Sequence, residues 1–261
     1  MIRFSAHLGT LFPELPPLER PAAAAAAGFG EVEAWWPPAP VAEEWIAAVR
    51  AAGLRAVLVN ADGGDLAAGE RGFCNVPGRE DEVLAAVRAA ARVVRACGGE
   101  TVNLLVGRHD PGRPRAAQRD GAAEVVRAAG DAARALGARI VVEHLNALDV
   151  RDPLVATPAD AAAFVRAVGH DSVRVLYDAY HAARAGLDPV EECDGVAELI
   201  GHVQYADSPG RGAPGTGTVD LRRVVERLEA VGYTGPVGLE FVPAGPTAEA
   251  LAPIAALRGA T

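Results

Sequence analysis

Eight short apolar segments alternate with helix-patterned segments along the chain, and no other feature narrows the fold as far. The patterning predicts strands over residues 2–7, 31–35, 54–59, 101–106, 138–143, 173–178, 202–205 and 236–241. Helices are expected over 18–27, 41–52, 81–97, 116–136, from 158 onward, 189–199, 221–231 and 247–257, several closed by a glycine such as Gly28, Gly53, Gly137 or Gly232. Thr157-Pro158 reads as a helix cap with proline in the first turn. Strict alternation implies a parallel sheet, and eight repeats imply a closed (β/α)8 TIM barrel, class α/β, with residues 1–261 as a single domain. A doubly wound open sheet fits less well, because no G-x-G-x-x-G follows the first strand.

Within that frame the stretch R-V-L-Y-D-A-Y-H, Arg174 to His181, draws attention. It is a buried strand by its β-branched and aromatic content, yet it ends in Asp178. A carboxylate at the end of an apolar strand needs a compensating partner or a helix to cap. The neighbouring strands repeat the pattern. The fifth carries Glu143 near its end, the seventh carries His202, Gln204 and Asp207, and the eighth runs into Glu240. In a barrel these ends share one rim, where uncompensated acids would repel one another. One divalent cation resolves the conflict. Glu143, Asp178, Gln204 and Glu240 offer three carboxylates and an amide carbonyl, a hard set suited to Mg²⁺ or Mn²⁺ rather than Zn²⁺. His202 reads as a buried, hydrogen-bonded histidine, strand parity turns His144 away from the rim, and His109 and His170 fall in solvated loops. Phe12, Trp35 and Trp36 follow the first two strands, where they form either a dry wall to the site or barrel-end packing.

Composition removes whole classes of chemistry. All 25 basic residues are arginine, so Schiff-base lysine chemistry, lysine-bound pyridoxal phosphate and a P-loop lysine are excluded. A net charge of −9 argues against nucleic acid as a partner. Cys74, Cys97 and Cys193 are odd in number, widely spaced and free of any C-x-x-C pattern, as in a cytoplasmic protein. The opening M-I-R-F-S-A-H reads as a strand rather than a signal peptide, and no apolar run approaches a membrane span.

The chain resembles the hydroxypyruvate isomerase family, within the wider group of xylose-isomerase-like barrels. The resemblance runs nearly end to end. It rests on E-R-P-A-A-A-A-A-A-G-F-G-E-V-E from Glu19, A-A-G-E-R-G from Ala67, V-V-E-H-L-N from Val141 and Y-D-A-Y-H from Tyr177. It continues through H-V-Q-Y-A-D-S-P-G-R from His202, P-G-T-G from Pro214 and G-L-E-F from Gly238. It implies one Mg²⁺ or Mn²⁺ on Glu143, Asp178, Gln204 and Glu240, with Glu143 and Glu240 exchanging protons with the substrate. The implied reaction interconverts hydroxypyruvate and tartronate semialdehyde through an ene-diolate. It also implies that His181 and Arg211 contact substrate oxygens. Related ketose epimerases usually carry histidine where Gln204 stands. The chain departs from the family at His7, where relatives more often have asparagine, and at V-E-H-L-N, where V-E-P-I-N or I-E-P-I-N is usual. His7 is therefore a candidate for shaping substrate choice, and Arg71 a candidate to close over an acid group. The expected partner is a small hydroxy or oxo acid or a short sugar acid, with 2-oxo-tetronate isomerisation and ketose 3-epimerisation as alternatives on the same site. A zinc phosphodiesterase on this barrel type would need more histidines and a basic surface, and a non-catalytic metal-binding barrel would have lost a carboxylate. A homo-oligomer stays open.

Overall fold

A strand with apolar side chains on both faces must be covered on both sides, and here eight strands close on themselves inside a ring of helices. The structure is a computed structural model that describes residues 2–36 and 41–254. The strands are β1 (Arg3–His7), β2 (Glu31–Ala34), β3 (Arg55–Asn60), β4 (Thr101–Asn103), β5 (Arg139–Glu143), β6 (Val173–Asp178), β7 (Ile200–Tyr205) and β8 (Pro236–Leu239). They form a closed barrel in sequence order, with β8 pairing back onto β1 and every pairing parallel. The described helices are α1 (Arg20–Ala26), α2 (Ala42–Ala51), α3 (Glu80–Ala96), α4 (Arg115–Arg134), α5 (Pro158–Val168), α6 (Ala179–Arg184), α7 (Pro189–Val196), α8 (Leu221–Ala230) and α9 (Thr247–Ala250).

The eight expected strands are all present, with ends shifted by a few residues. β4 stops at Asn103 rather than 106, because Leu104 still reaches the Val141 carbonyl while Val106 pairs antiparallel with Gly72 in a loop. Thr157 caps α5 as expected, its hydroxyl accepting from the Asp160 N–H. The last helix was expected to reach residue 257; the stretch beyond 254 lies outside the described residues. α6 is an addition. It starts directly at Asp178, so the strand and the helix share that residue.

Side-chain alternation sorts the strands into two environments. Outward residues such as Ile140, Val142, Val173, Val175 and Tyr177 pack against the helices in the main core. Each such fully buried side chain contributes roughly 1.5–3 kcal/mol. Leu58, Val141 and Leu176 belong to a separate small cluster inside the barrel, together with Val57. Much of the remaining interior is polar. Ser5, His7, Glu33, Asn103, Glu143, Asp178, His202, Gln204 and Glu240 are all buried. Polar side chains share the barrel's middle with that cluster, Glu33 in register with Leu58 and His202 with Leu176, and they continue to the C-terminal mouth, the end where barrel loops hold chemistry. Among the described residues no helix is long and apolar enough to cross a membrane.

Two glycines make this arrangement possible. At Gly72, φ is +84° and a Cβ would lie 1.8 Å from the Leu105 carbonyl oxygen, so only glycine lets the loop after β3 lie against the loop after β4. That contact sets Arg71 at the mouth. At Gly238, a Cβ would meet the Glu33 carboxylate at 2.2 and 2.4 Å, so β8 leaves a hollow for an acid inside the barrel.

Candidate active site

Each acid of the site is delivered by the end of a strand. Glu143 closes β5, Asp178 closes β6, Gln204 sits beside Asp178 in the β6–β7 register, and Glu240 follows β8 with its N–H on the Tyr205 carbonyl. A cleft of about 180 Å³ at the mouth is lined by Glu143, His181, Arg211, Glu240, Arg71 and Trp35, among others. Larger hollows elsewhere share none of these side chains. Glu143, Asp178 and His181 bring donor atoms within 4.8 Å of one another. His7 lies 3.6 Å from Glu240, Nε2 to Oε1. The fold thus gathers Glu143, Asp178, Gln204, Glu240, His181, Arg211, Arg71 and His7 at one end of the barrel.

Asp178 has two duties. Its Oδ1 accepts the Tyr180 and His181 N–H groups at 2.7 and 3.1 Å, capping α6, while Oδ2 lies 3.9 Å from His181 Nε2. Cap and site acid are therefore the same residue.

The hydrogen bonds assign the imidazoles. His181 Nδ1 accepts from the Asn146 N–H at 3.1 Å and from its side-chain amide at 2.7 Å. Asn146 cannot be turned around, because its Oδ1 takes the Leu148 and Asp149 N–H groups. The proton of His181 thus sits on Nε2, 3.6 Å from Glu143 Oε1, where it is a donor and not a lone pair for a metal. Burial, then the Arg211 charge, pushes His181 down to about 3, so it stays neutral. His7 is fixed likewise: Nδ1 takes the Gly9 N–H, and the buried Nε2 faces Glu240 without a hydrogen-bond partner. His144 is buried beside Tyr177 and takes the Asp178 N–H on Nε2, and burial pushes it down to about 3. His109 and His170 are tethered to Asp152 and Asp131 rather than free in solvent, because each loop folds back against a neighbouring acid.

The two glutamates sit in opposite environments. Burial raises Glu143 well above the usual carboxylate range, and the charges of Glu240 and Asp178 add to this. Burial raises Asp178 too, although Arg211 opposes it. Burial alone would raise Glu240, but the Arg211 guanidinium at 2.8 Å and the Trp35 N–H at 2.9 Å hold it at about 2. Arg211 is itself clamped: its Nε donates to the Glu240 carbonyl, its guanidinium lies 5.1 Å from the Tyr180 ring centre, and its φ is +52°. A left-handed arginine costs about 1 kcal/mol, a strain the surrounding bonds must hold. Among the described residues Arg71 is spent only on the Leu66 and Glu70 carbonyls, leaving it at the cleft wall as the less committed cation.

The donor set fits a divalent ion. Among the described residues Gln204 Oε1 is buried without a hydrogen-bond partner, beside carboxylates that share the Arg211 guanidinium. Several supports were not read from the sequence. Asn103 donates to Glu143 Oε2 at 2.7 Å, Trp35 donates to Glu240, and Glu33 accepts from Gln204 Nε2 at 3.0 Å and His202 Nε2 at 2.9 Å. His202 is thus the buried, hydrogen-bonded histidine expected. Glu33 had a signal of its own, an acid at an inward position of an apolar strand. Asp207 belongs elsewhere: it takes the N–H groups of Ser208, Gly215, Gly217 and Val219 and ties the loop after β7. Phe12 is buried core, whereas Trp35 lines the cleft.

A sequence model of the family described as xylose isomerase-like TIM barrel matches residues 21–258. The chain is 41% identical over 253 residues to a Streptomyces coelicolor protein provisionally named hydroxypyruvate isomerase, covering 92% of this chain and 91% of that one. It belongs to the hydroxypyruvate isomerase family of xylose isomerase-like TIM barrels. The Escherichia coli hydroxypyruvate isomerase is 34% identical, covering 93% of this chain and 94% of that one. The 2-oxo-tetronate isomerase of Cupriavidus necator is 32% identical, covering 96% of each chain. Among solved structures, one named AP endonuclease, family 2, from Brucella melitensis superposes with a TM-score of 0.93 at 34% identity, over 98% of this chain and 99% of that one. This member of the hydroxypyruvate isomerase family is an enzyme of an isomerase family, and the group of possible donors that the structure brings together among the described residues is Glu143, Asp178 and His181.

Proposed function

We propose that the chain is a divalent-metal-dependent isomerase that interconverts hydroxypyruvate and tartronate semialdehyde, with Glu143 and Glu240 as the proton-transferring pair. The observation that carries this is geometric: Glu143 at the end of β5 and Glu240 just after β8 line one small cleft, so a substrate held there meets a carboxylate from each side of the mouth. Relatives named for isomerisation of small oxo acids support the substrate class.

Glu143, Asp178, Glu240 and the Gln204 carbonyl would hold Mg²⁺ or Mn²⁺. Such an ion supplies polarisation of adjacent carbonyl and hydroxyl oxygens, which acidifies the C–H to be broken. The residues do the rest. His181 donates from Nε2 to a substrate oxygen, and Arg71 meets the carboxylate with a forked donor. Arg211 and Trp35 keep Glu240 ionised, so it accepts the proton leaving C3 of hydroxypyruvate. Glu143 relays a proton from solvent to C2 of the ene-diolate, the hydroxyl proton passes from O3 to O2, and Glu240 gives its proton back to solvent, so substrate and enzyme both balance. The reverse reaction exchanges the two roles. His7, buried with its Nε2 3.6 Å from Glu240, contributes to substrate choice through that acid. Free, buried cysteines agree with a reducing cytoplasm.

The sequence relatives also support 2-oxo-tetronate as substrate, one carbon longer on the same site. A phosphodiesterase reading finds no support in the site: His181 and His202 turn N–H groups or hydrogen-bonded nitrogens toward carboxylates, and the net charge is −9. The test is an NMR spectrum of Mn²⁺-loaded enzyme turning over hydroxypyruvate in D₂O. Deuterium on product carbon is expected. Turnover without any carbon-bound deuterium would count against proton transfer, and turnover of 2-oxo-tetronate alone would transfer the reading to that substrate.

A further inference from the structure

The Glu33 carboxylate is fully buried within the barrel, beneath the four candidate ligands. It accepts from the Ser5 hydroxyl, from His202 Nε2 at 2.9 Å and from Gln204 Nε2 at 3.0 Å. The Ser5 hydroxyl and His202 Nε2 both sit on Glu33 Oε1, so Oε2 is the oxygen that accepts from the NH₂ end of the Gln204 amide. A flipped amide would set its carbonyl oxygen against a buried carboxylate oxygen, two acceptors with no proton between them. The amide nitrogen has no free lone pair for a metal, whereas the carbonyl oxygen does, and Oε1 is the atom left buried without a partner. β8 is shaped to allow this contact, since any Cβ at Gly238 would occupy the place of the Glu33 carboxylate.

We propose that Glu33 is a positioning residue: its carboxylate fixes the Gln204 amide so that Oε1 is the atom presented to the divalent ion. This rests on the reading of Gln204 as a metal ligand. Outer partners of this kind typically govern 10–100-fold in metal affinity.

The test is a double-mutant cycle read by Mn²⁺ binding, using electron paramagnetic resonance of free Mn²⁺ on the unaltered chain, Glu33→Ala, Gln204→Ala and the double variant. Thermal melts verify folding. Glu33→Ala should weaken Mn²⁺ binding by about 10–100-fold. In the Gln204→Ala background it should cost almost nothing further, because Glu33 acts only through that amide. Should Glu33→Ala fail to fold, the same cycle is run with Glu33→Gln, which keeps the volume and one acceptor oxygen. Its loss should be smaller and again absent without Gln204. Equal Mn²⁺ affinity in the Glu33 variant and the unaltered chain would overturn the inference while leaving the metal reading intact. So would a full loss that persists without Gln204. An unaltered chain that does not bind Mn²⁺ overturns the metal reading and this inference with it.

Discussion

Arg211 holds Glu240 twice, through Nη2 to the side-chain Oε2 at 2.8 Å and through Nε to the backbone carbonyl at 3.3 Å. One residue from the loop after β7 thereby fixes both the charge and the position of an acid that follows β8. The contact also divides the work between the two arginines of the cleft. Arg211 is committed to the protein, and Arg71 lines the same cleft with its charge unpaired among the described residues.

That division has a kinetic signature. Arg71→Ala should raise KM for a carboxylate substrate by roughly 10–100-fold, the range of a lost charge-assisted hydrogen bond, with kcat little changed. An uncharged analogue should show no comparable rise. Arg211→Ala should instead lower kcat, since a buried Glu240 without its cation gains affinity for a proton. Steady-state kinetics on both variants separates the roles, and equal effects on KM would erase the distinction.

Glu143→Gln and Glu240→Gln test the proton chemistry. An amide still offers a carbonyl oxygen but cannot take a proton. Each variant should keep measurable Mn²⁺ binding and lose turnover by roughly 10²–10⁴-fold. A fully active Glu240→Gln enzyme would exclude that residue as a base.

Metal binding should expel a proton in mild acid. Burial and the neighbouring acids raise Glu143 above its ordinary 4.5, so in the metal-free chain it stays protonated at pH values where a free glutamate is ionised. A ligand must be deprotonated, so Mn²⁺ affinity should climb with pH through that window, by up to about tenfold per unit for each proton released. It should level off above the raised value. Calorimetry in buffers of different ionisation heat counts the protons. Affinity independent of pH from 5 upward would contradict the direction of the shift.

Gly238→Ala should destabilise the fold by about 1–3 kcal/mol, because the added methyl overlaps the Glu33 carboxylate and the barrel interior cannot yield freely. Urea unfolding measures it. Wild-type stability in the variant would show that Glu33 has other room.

The alternation of strands and helices, with acids at successive strand ends, was enough to place Glu143, Asp178, Gln204 and Glu240 on one rim. Strand order in a closed parallel barrel is sequential, and side-chain direction has period two. Local pattern therefore carried global position. Glu33 had the same kind of local signal, but its meaning depends on His202 and Gln204, some 170 residues away, and on the hollow at Gly238. Trp35 read equally as wall or as packing until its N–H was seen on Glu240. The fixed imidazoles of His7 and His181 likewise follow from a loop N–H and an Asn146 amide whose placement no periodicity encodes. Only closure of the barrel sets these partners within hydrogen-bond reach. Charge, tautomer and amide orientation are decided there, because they depend on neighbours across the barrel rather than along the chain.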